Sequence, residues 1–163
     1  MALLPAPAAL WLLLAAAPVA IWAAMTDLRE MRIPNRAVYA LVAAFAVIGV
    51  LALPLEVWLW RWAHLGVVLV VGFLMNMLRL MGAGDAKFAA AMAPFVALGD
   101  VAAFALILAA VLLATFIAQR LARAMPVARR LAPGWASWER REFPMGVALG
   151  PALIIYLALA AGL

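Results

Sequence analysis

Apolar residues fall in long blocks separated by short polar punctuation. From Leu3 to Met25 the chain carries no charge, and Thr26-Asp27 closes that block. Blocks this long, apolar throughout rather than alternating, predict α-helices that cross a bilayer and not the short segments of a sheet barrel. The pattern predicts helices over Ala8–Met25, Val38–Leu53 (stopped by Pro54), Trp62–Leu78, Ala86–Leu98, Val101–Ile117 and Pro144–Leu163. A polar stretch from Gln119 to Glu142 precedes the last. The expected fold class is an all-α polytopic membrane helix bundle of about six transmembrane helices. Residues 1–163 form a single membrane domain, with 119–142 as a basic loop or interfacial helix.

The fourth helix is the weak member. About 13 residues at 1.5 Å each cover roughly 20 Å, short of a hydrocarbon core about 30 Å thick. It borrows length from Gly84 and Asp85, sits where the bilayer is thin, or spans only in part. Each option brings Asp85 close to the membrane edge. The first block lacks a basic leader region and runs on into further apolar blocks, so it reads as a retained helix, not a signal peptide.

Composition agrees with the pattern: 72% of residues are hydrophobic, only 12% are charged, and mean hydropathy is +1.18. The net charge of +5 does not point to nucleic acid, because the basic residues lie in the connections between blocks and not along one soluble face. Arg29, Arg32, Arg36, Arg79, Lys87, Arg120, Arg123, Arg129, Arg130, Arg140 and Arg141 fall on one side of a six-span topology, leaving Arg61 as the exception among 12. The positive-inside rule makes that side cytoplasmic and both termini extracytoplasmic. The opposite connections are lean: Glu56, Arg61 and His64 in one, Asp100 in the other. Absent cysteines exclude thiolate metal sites, disulfides and a Cys nucleophile, and the single histidine excludes a multi-histidine metal centre. Neither a metal nor another cofactor is expected.

The same topology places Asp27 and Asp85 at one membrane face, at the ends of the first and fourth helices. A carboxylate near hydrocarbon is costly. Two brought together share a proton, one pKa rising and the other falling. The ionised member then activates a water while the protonated member polarises a carbonyl, which is peptide hydrolysis without a metal or covalent intermediate. Gly82 and Gly84 fit this scheme, since they permit an unusual turn before Asp85 and close approach of a substrate backbone. Lys87 is placed to neutralise nearby charge or hold lipid phosphate. Pro34 restrains Ile33 toward extended backbone and suits the start of the next helix, where Asn35 caps the helix or binds substrate backbone. Glu30 lies three residues from Asp27 on a shared helical face, as a third carboxylate or the partner of an arginine.

Asp27 with Ile33-Pro34-Asn35, followed by Gly82-Ala83-Gly84-Asp85-Ala86-Lys87, resembles the type IV prepilin peptidases, membrane aspartic proteases with a Gly-x-Gly-Asp signature. Phe143-Pro144-Met145-Gly146 is similar to that family's lead-in to its last helix. The resemblance implies that Asp27 and Asp85 are the catalytic pair. The substrate it implies is a pilin precursor, whose short basic leader is cut at the cytoplasmic face ahead of a hydrophobic helix. Larger members carry a domain with Cys-x-x-Cys pairs and also methylate the new N-terminus. With no cysteine here, the chain looks like the small form found with Tad/Flp pilus systems, and methylation is not carried over. A bacterial inner-membrane location follows, with the archaeal preflagellin peptidases as a nearby relative.

Plainer readings accompany these. Asp85 alone reads as an N-cap, Asp100 as a turn residue on the far side, and His64 as an interfacial residue beside Trp58, Trp60 and Trp62. Asn76 reads as a hydrogen-bond donor to a neighbouring helix. The stretch 119–142 reads as a surface held to anionic lipid, with Gln119 to Arg130 an amphipathic helix broken at Pro126. Its sharper reading is a cover for the site or a contact for a pilus assembly protein. A basic leader would favour Glu30, Glu139 or Glu142. Other functions from the same residues are a small transporter gated by the two aspartates and a non-catalytic assembly protein.

Overall fold

The computed structural model describes residues 4–140 and 142–163; Leu3, at the head of the first apolar block, and Arg141, in the basic stretch, lie outside them. Every regular element among the described residues is helical. Helix α1 spans Ala6–Glu30, α2 Asn35–Ala52, α3 Leu55–Met77, α4 Ala83–Met92, α5 Val101–Ala124, α6 Pro126–Leu131 and α7 Gly146–Ala161. Three single 3₁₀ turns occupy Ala93–Phe95, Leu98–Asp100 and Ala136–Trp138. Four helices, α1, α2, α3 and the run through α5, are long and apolar enough to cross a membrane, and α7 is a shorter apolar helix. The chain is a multi-spanning helical membrane protein.

Helices α1 and α7 form the centre. The buried face of α1 is Ala9, Leu12, Ala16, Ala20, Ala23 and Asp27, a three- and four-residue spacing that makes one stripe of mostly small side chains. Gly150 of α7 sits against that stripe so closely that a Cβ there would lie 2.6 Å from the Ala20 carbonyl oxygen. Such contact between small residues is how helices pack when lipid supplies no hydrophobic drive between them. Helices α2 and α4 flank the pair around Phe45, Phe88 and Phe95, all fully buried, with the Phe45 and Phe95 rings edge to face at 5.3 Å. Helices α3 and α5 are outermost, with only 11% and 6% of their most apolar stretches buried inside the protein.

Several boundaries differ from the sequence pattern, among them the end of the first helix, which runs on past Asp27 to Glu30. The third helix starts at Leu55 after Pro54, not at Trp62, so Glu56, Arg61 and His64 lie inside α3 and not in a connection. Arg61 is tolerated there because it is buried and bonded to backbone carbonyls, as described below. The fourth helix includes Ala83, Gly84 and Asp85 but ends at Met92 instead of Leu98. Pro94, which has no N–H for a regular helix, tightens the backbone into the 3₁₀ turn, and the chain is extended at Val96 and Ala97. The fifth helix continues through Gln119 to Ala124, and its break falls at Met125 before Pro126 opens α6. Asp100 is in a turn, but it is buried and accepts a hydrogen bond from the Tyr156 hydroxyl at 3.0 Å.

The basic stretch packs back onto the bundle. Gln119 donates through Nε2 to the Ser137 carbonyl at 3.1 Å, and Arg123 through Nη2 to that of Trp138, also at 3.1 Å. Trp135 and Trp138 stack, and the Arg29 guanidinium lies over the Trp135 ring at 5.9 Å. This fastening brings Arg140 and Glu142 to the end of the bundle where α1 and α3 finish and α4 and α7 begin.

Candidate active site

Asp27 belongs to the buried stripe of α1, one turn beyond Ala23, and only 4% of it is exposed. The stripe aims it at the first turn of α7, where the Gly146 backbone N–H donates to Asp27 Oδ2 at 2.7 Å. A helix N-terminus presents unpaired N–H groups and a positive partial charge, which suits a carboxylate there. A Cβ on residue 146 would stand 3.0 Å from both Cβ and Oδ2 of Asp27, so a side chain there would push the carboxylate back by a few tenths of an ångström. Just past Asp27 the helix is closed by Met31, whose left-handed backbone (φ 52°) returns its N–H to the Asp27 carbonyl.

Asp85 is the third residue of α4, not its cap; Gly82 holds the cap position. From there the carboxylate turns back toward the helix start, and a Cβ on residue 82 would fall 2.6 Å from Asp85 Oδ2. The loop before α4 is set by Asn76 in the last turn of α3, which donates to the Met81 carbonyl in that loop at 2.8 Å and not to a neighbouring helix. Arg79 in this loop also has left-handed backbone (φ 59°). Among the described residues the two non-glycine positions with positive φ, Met31 and Arg79, both line the cavity between the carboxylates, and such backbone is concentrated in functional sites.

That cavity has a volume of about 750 Å³ and contains Asp27 and Asp85 in its wall, together with Ile33, Asn76, Gly82, Gly84, Arg32, Arg79, Arg140 and Glu142. Its size suits a short length of extended peptide. Asp85 lies outside the four membrane-crossing helices, and its pKa is pushed up to about 6 by burial first and by the nearby Asp27 charge second, with the Gly82 N–H pulling the other way. The two carboxylates therefore act on one another.

The remaining residues singled out in the sequence fall into two groups. Ile33 is wedged between the carboxylate-bearing elements: its backbone and Cβ lie 3.6–3.7 Å from a Cβ placed on Gly84, and its Cδ1 lies 3.1 Å from one on Gly146. Pro34 precedes α2 as its cap residue. Asn35 makes no cap bond; its Oδ1 accepts from Lys87 Nζ at 3.5 Å, tying the starts of α2 and α4 beside the site. Glu30 ends α1 exposed to solvent and is not part of the cavity wall, whereas Glu142 is. Among the described residues no cluster of three or more His, Asp or Glu side chains is arranged to hold a metal ion.

Gly146 is the position beside the carboxylates that residue type alone did not reveal, since what it contributes is an N–H and the absence of a side chain. Its signal was the Pro144-x-Gly146 pattern ahead of the last helix.

A multi-spanning helical protein with two carboxylates facing one cavity at the end of the bundle is built as a membrane aspartic peptidase. The sequence profile of the type IV leader peptidase family matches residues 9–119, a stretch that holds both Asp27 and Asp85, and the chain belongs to that family. It is an aspartic peptidase of the kind that processes type IV prepilins. No curated protein and no solved structure matches the chain.

Proposed function

We propose that Asp27 and Asp85 are the catalytic pair and that they remove the leader of Flp-type pilin precursors at the cytoplasmic membrane face. The observation that carries this reading is the single cavity holding both carboxylates, one anchored by the α7 N-terminus and the other in the first turn of α4. Asp27, with its Gly146 hydrogen bond, takes the base role and draws a proton from water. Asp85 holds its proton to higher pH and donates it to the scissile carbonyl oxygen. The water oxygen bonds to the carbonyl carbon. The tetrahedral intermediate then collapses: one hydroxyl proton returns to Asp85 as the carbonyl re-forms, the C–N bond breaks, and the proton taken by Asp27 passes to the leaving amine.

Gly82 and Gly84 leave backbone room beside Asp85, Ile33 and Pro34 fix the spacing between α1 and α2, and Lys87 with Asn35 holds α4 against α2. Glu142 is the carboxylate placed to meet a basic leader, with Glu30 and Glu139 farther out. In this reading residues 1–163 act as one peptidase unit with six membrane-crossing passes; the fourth is a short one that begins beyond the first turn of α4, leaving Asp85 at the membrane edge. Both termini are extracytoplasmic, and 119–142 is a cytoplasmic segment that contacts anionic lipid and pilus assembly proteins.

The test is reconstitution of the protein in lipid vesicles with an Flp-type precursor. Release of the intact leader supports the reading. An uncut precursor alongside a folded, oriented protein contradicts it.

A further inference from the structure

Arg61 lies in α3 about 22 Å along the helix from Asn76, far from the carboxylates, and it is only 4% exposed. A buried arginine at membrane depth is costly and is retained where it has a specific partner. Here the partners are backbone: Nη1 donates to the Pro94 carbonyl at 3.1 Å and to the Phe95 carbonyl at 3.2 Å. Those carbonyls belong to the turn in which α4 gives out. Helix α4 is only 10 residues long, about 15 Å, so its end and the chain after it lie in the interior. Non-helical backbone survives there only when protein groups satisfy it. Arg61 does so from α3. Tyr156 does so from α7, its hydroxyl accepting from the Ala97 N–H at 3.2 Å and donating to Asp100 Oδ2. Asp100 in turn lies within electrostatic reach of Arg61.

We propose that Arg61 is a positioning residue for the peptidase reaction: by holding the Pro94 and Phe95 carbonyls it fixes the axial position of α4, and so the place of Asp85 relative to Asp27. At the other end α4 is held by the 3.5 Å Lys87–Asn35 contact and by the close packing of Ala86 on Gly72, neither of which bonds its backbone along the axis. A short helix released at its far end shifts as a unit and carries Asp85 with it. This inference rests on the catalytic pair proposed above.

The test has an arm that needs no catalysis. A Cβ on residue 84 lies 3.7 Å from Ile33 Cβ, within the range for a disulfide, and the chain has no cysteine of its own. Oxidation of the Ile33→Cys/Gly84→Cys protein in membranes therefore reports where α4 starts. Adding Arg61→Met should cut cross-linking severalfold. In the otherwise unchanged protein, Arg61→Met should lower kcat about 100-fold, the cost of a misplacement near 1 Å, with KM within about threefold of wild type. Arg61→Lys should recover part of both, and Arg61→Met/Asp100→Asn should recover neither, because the carbonyls still lack a donor. Wild-type cross-linking or wild-type kcat per folded molecule in Arg61→Met overturns the proposal, as does full recovery in the double variant. Should Arg61→Met fail to accumulate, Arg61→Lys decides: reduced cross-linking and kcat support the proposal, and wild-type values for either overturn it. Cross-linking that responds to Arg61 with a wild-type protein that cuts no precursor would instead count against the peptidase reading.

Discussion

Asp27 can lie against the start of α7 because residue 146 has no side chain. Gly146→Ala should insert normally and lower kcat by at least about tenfold, since the added methyl displaces the carboxylate it must touch; wild-type turnover would mean that this contact does not matter to the chemistry. Asp85 costs stability where it is charged. Its folded-state pKa, about 6, lies above the ordinary value of 3.8, so the folded protein holds that proton more tightly than the unfolded chain. The resulting stabilisation is complete below pH 3.8 and is lost as pH rises through about 6. Asp85→Asn should therefore melt higher than wild type at pH 8, with the gap closing toward pH 4, as thermal unfolding in detergent would show. The same proton gives activity a descending limb above pH 6, belonging to the pair and not to one residue. These two aspartates were legible in the sequence because carboxylates bordering apolar blocks are rare and informative. The donor to Asp27 was not, because a backbone N–H has no residue type.

At the scale of elements, apolar blocks fixed which segments are helical, and the differences arose where a partner far along the chain changes what a residue costs. Arg61 reads as the end of a connection until the Pro94 and Phe95 carbonyls, 33 and 34 residues away, are seen to receive it. The same contact explains the one basic residue on the wrong side of the expected topology: Arg61 serves the interior and not the membrane surface. The short fourth helix was visible as too few residues, and Pro94 sets its end. Its packing is tight on α3, where a Cβ on Gly72 would come within 2.9 Å of Ala86 Cβ. Gly72→Val should lower stability by about 1–3 kcal/mol and reduce cleavage beyond that, because Ala86 adjoins Asp85. A denaturation midpoint measured with the cleavage rate separates the two effects.

The whole molecule places a closely packed α1–α7 centre beneath a cavity lined by Arg32, Arg79 and Arg140. Six passes with both termini outside would put the α6 region in the cytoplasm and residue 163 on the other side. In a chain free of cysteine, Pro133→Cys should react with a membrane-impermeant thiol reagent only after the cytoplasmic side is opened, and Leu163→Cys without opening. The reverse pattern would turn the active site outward. Side was expected from the arginines alone; the close Gly150–Ala20 crossing was beyond the sequence, because hydropathy does not say which helices meet.

The central claim is that two carboxylates on separate helices do the chemistry. Processing of a cognate precursor in membranes bearing wild type, Asp27→Asn or Asp85→Asn, at matched abundance, tests it most directly. Each single substitution should abolish cleavage while the protein remains inserted and folded. Cleavage persisting in either variant would contradict it.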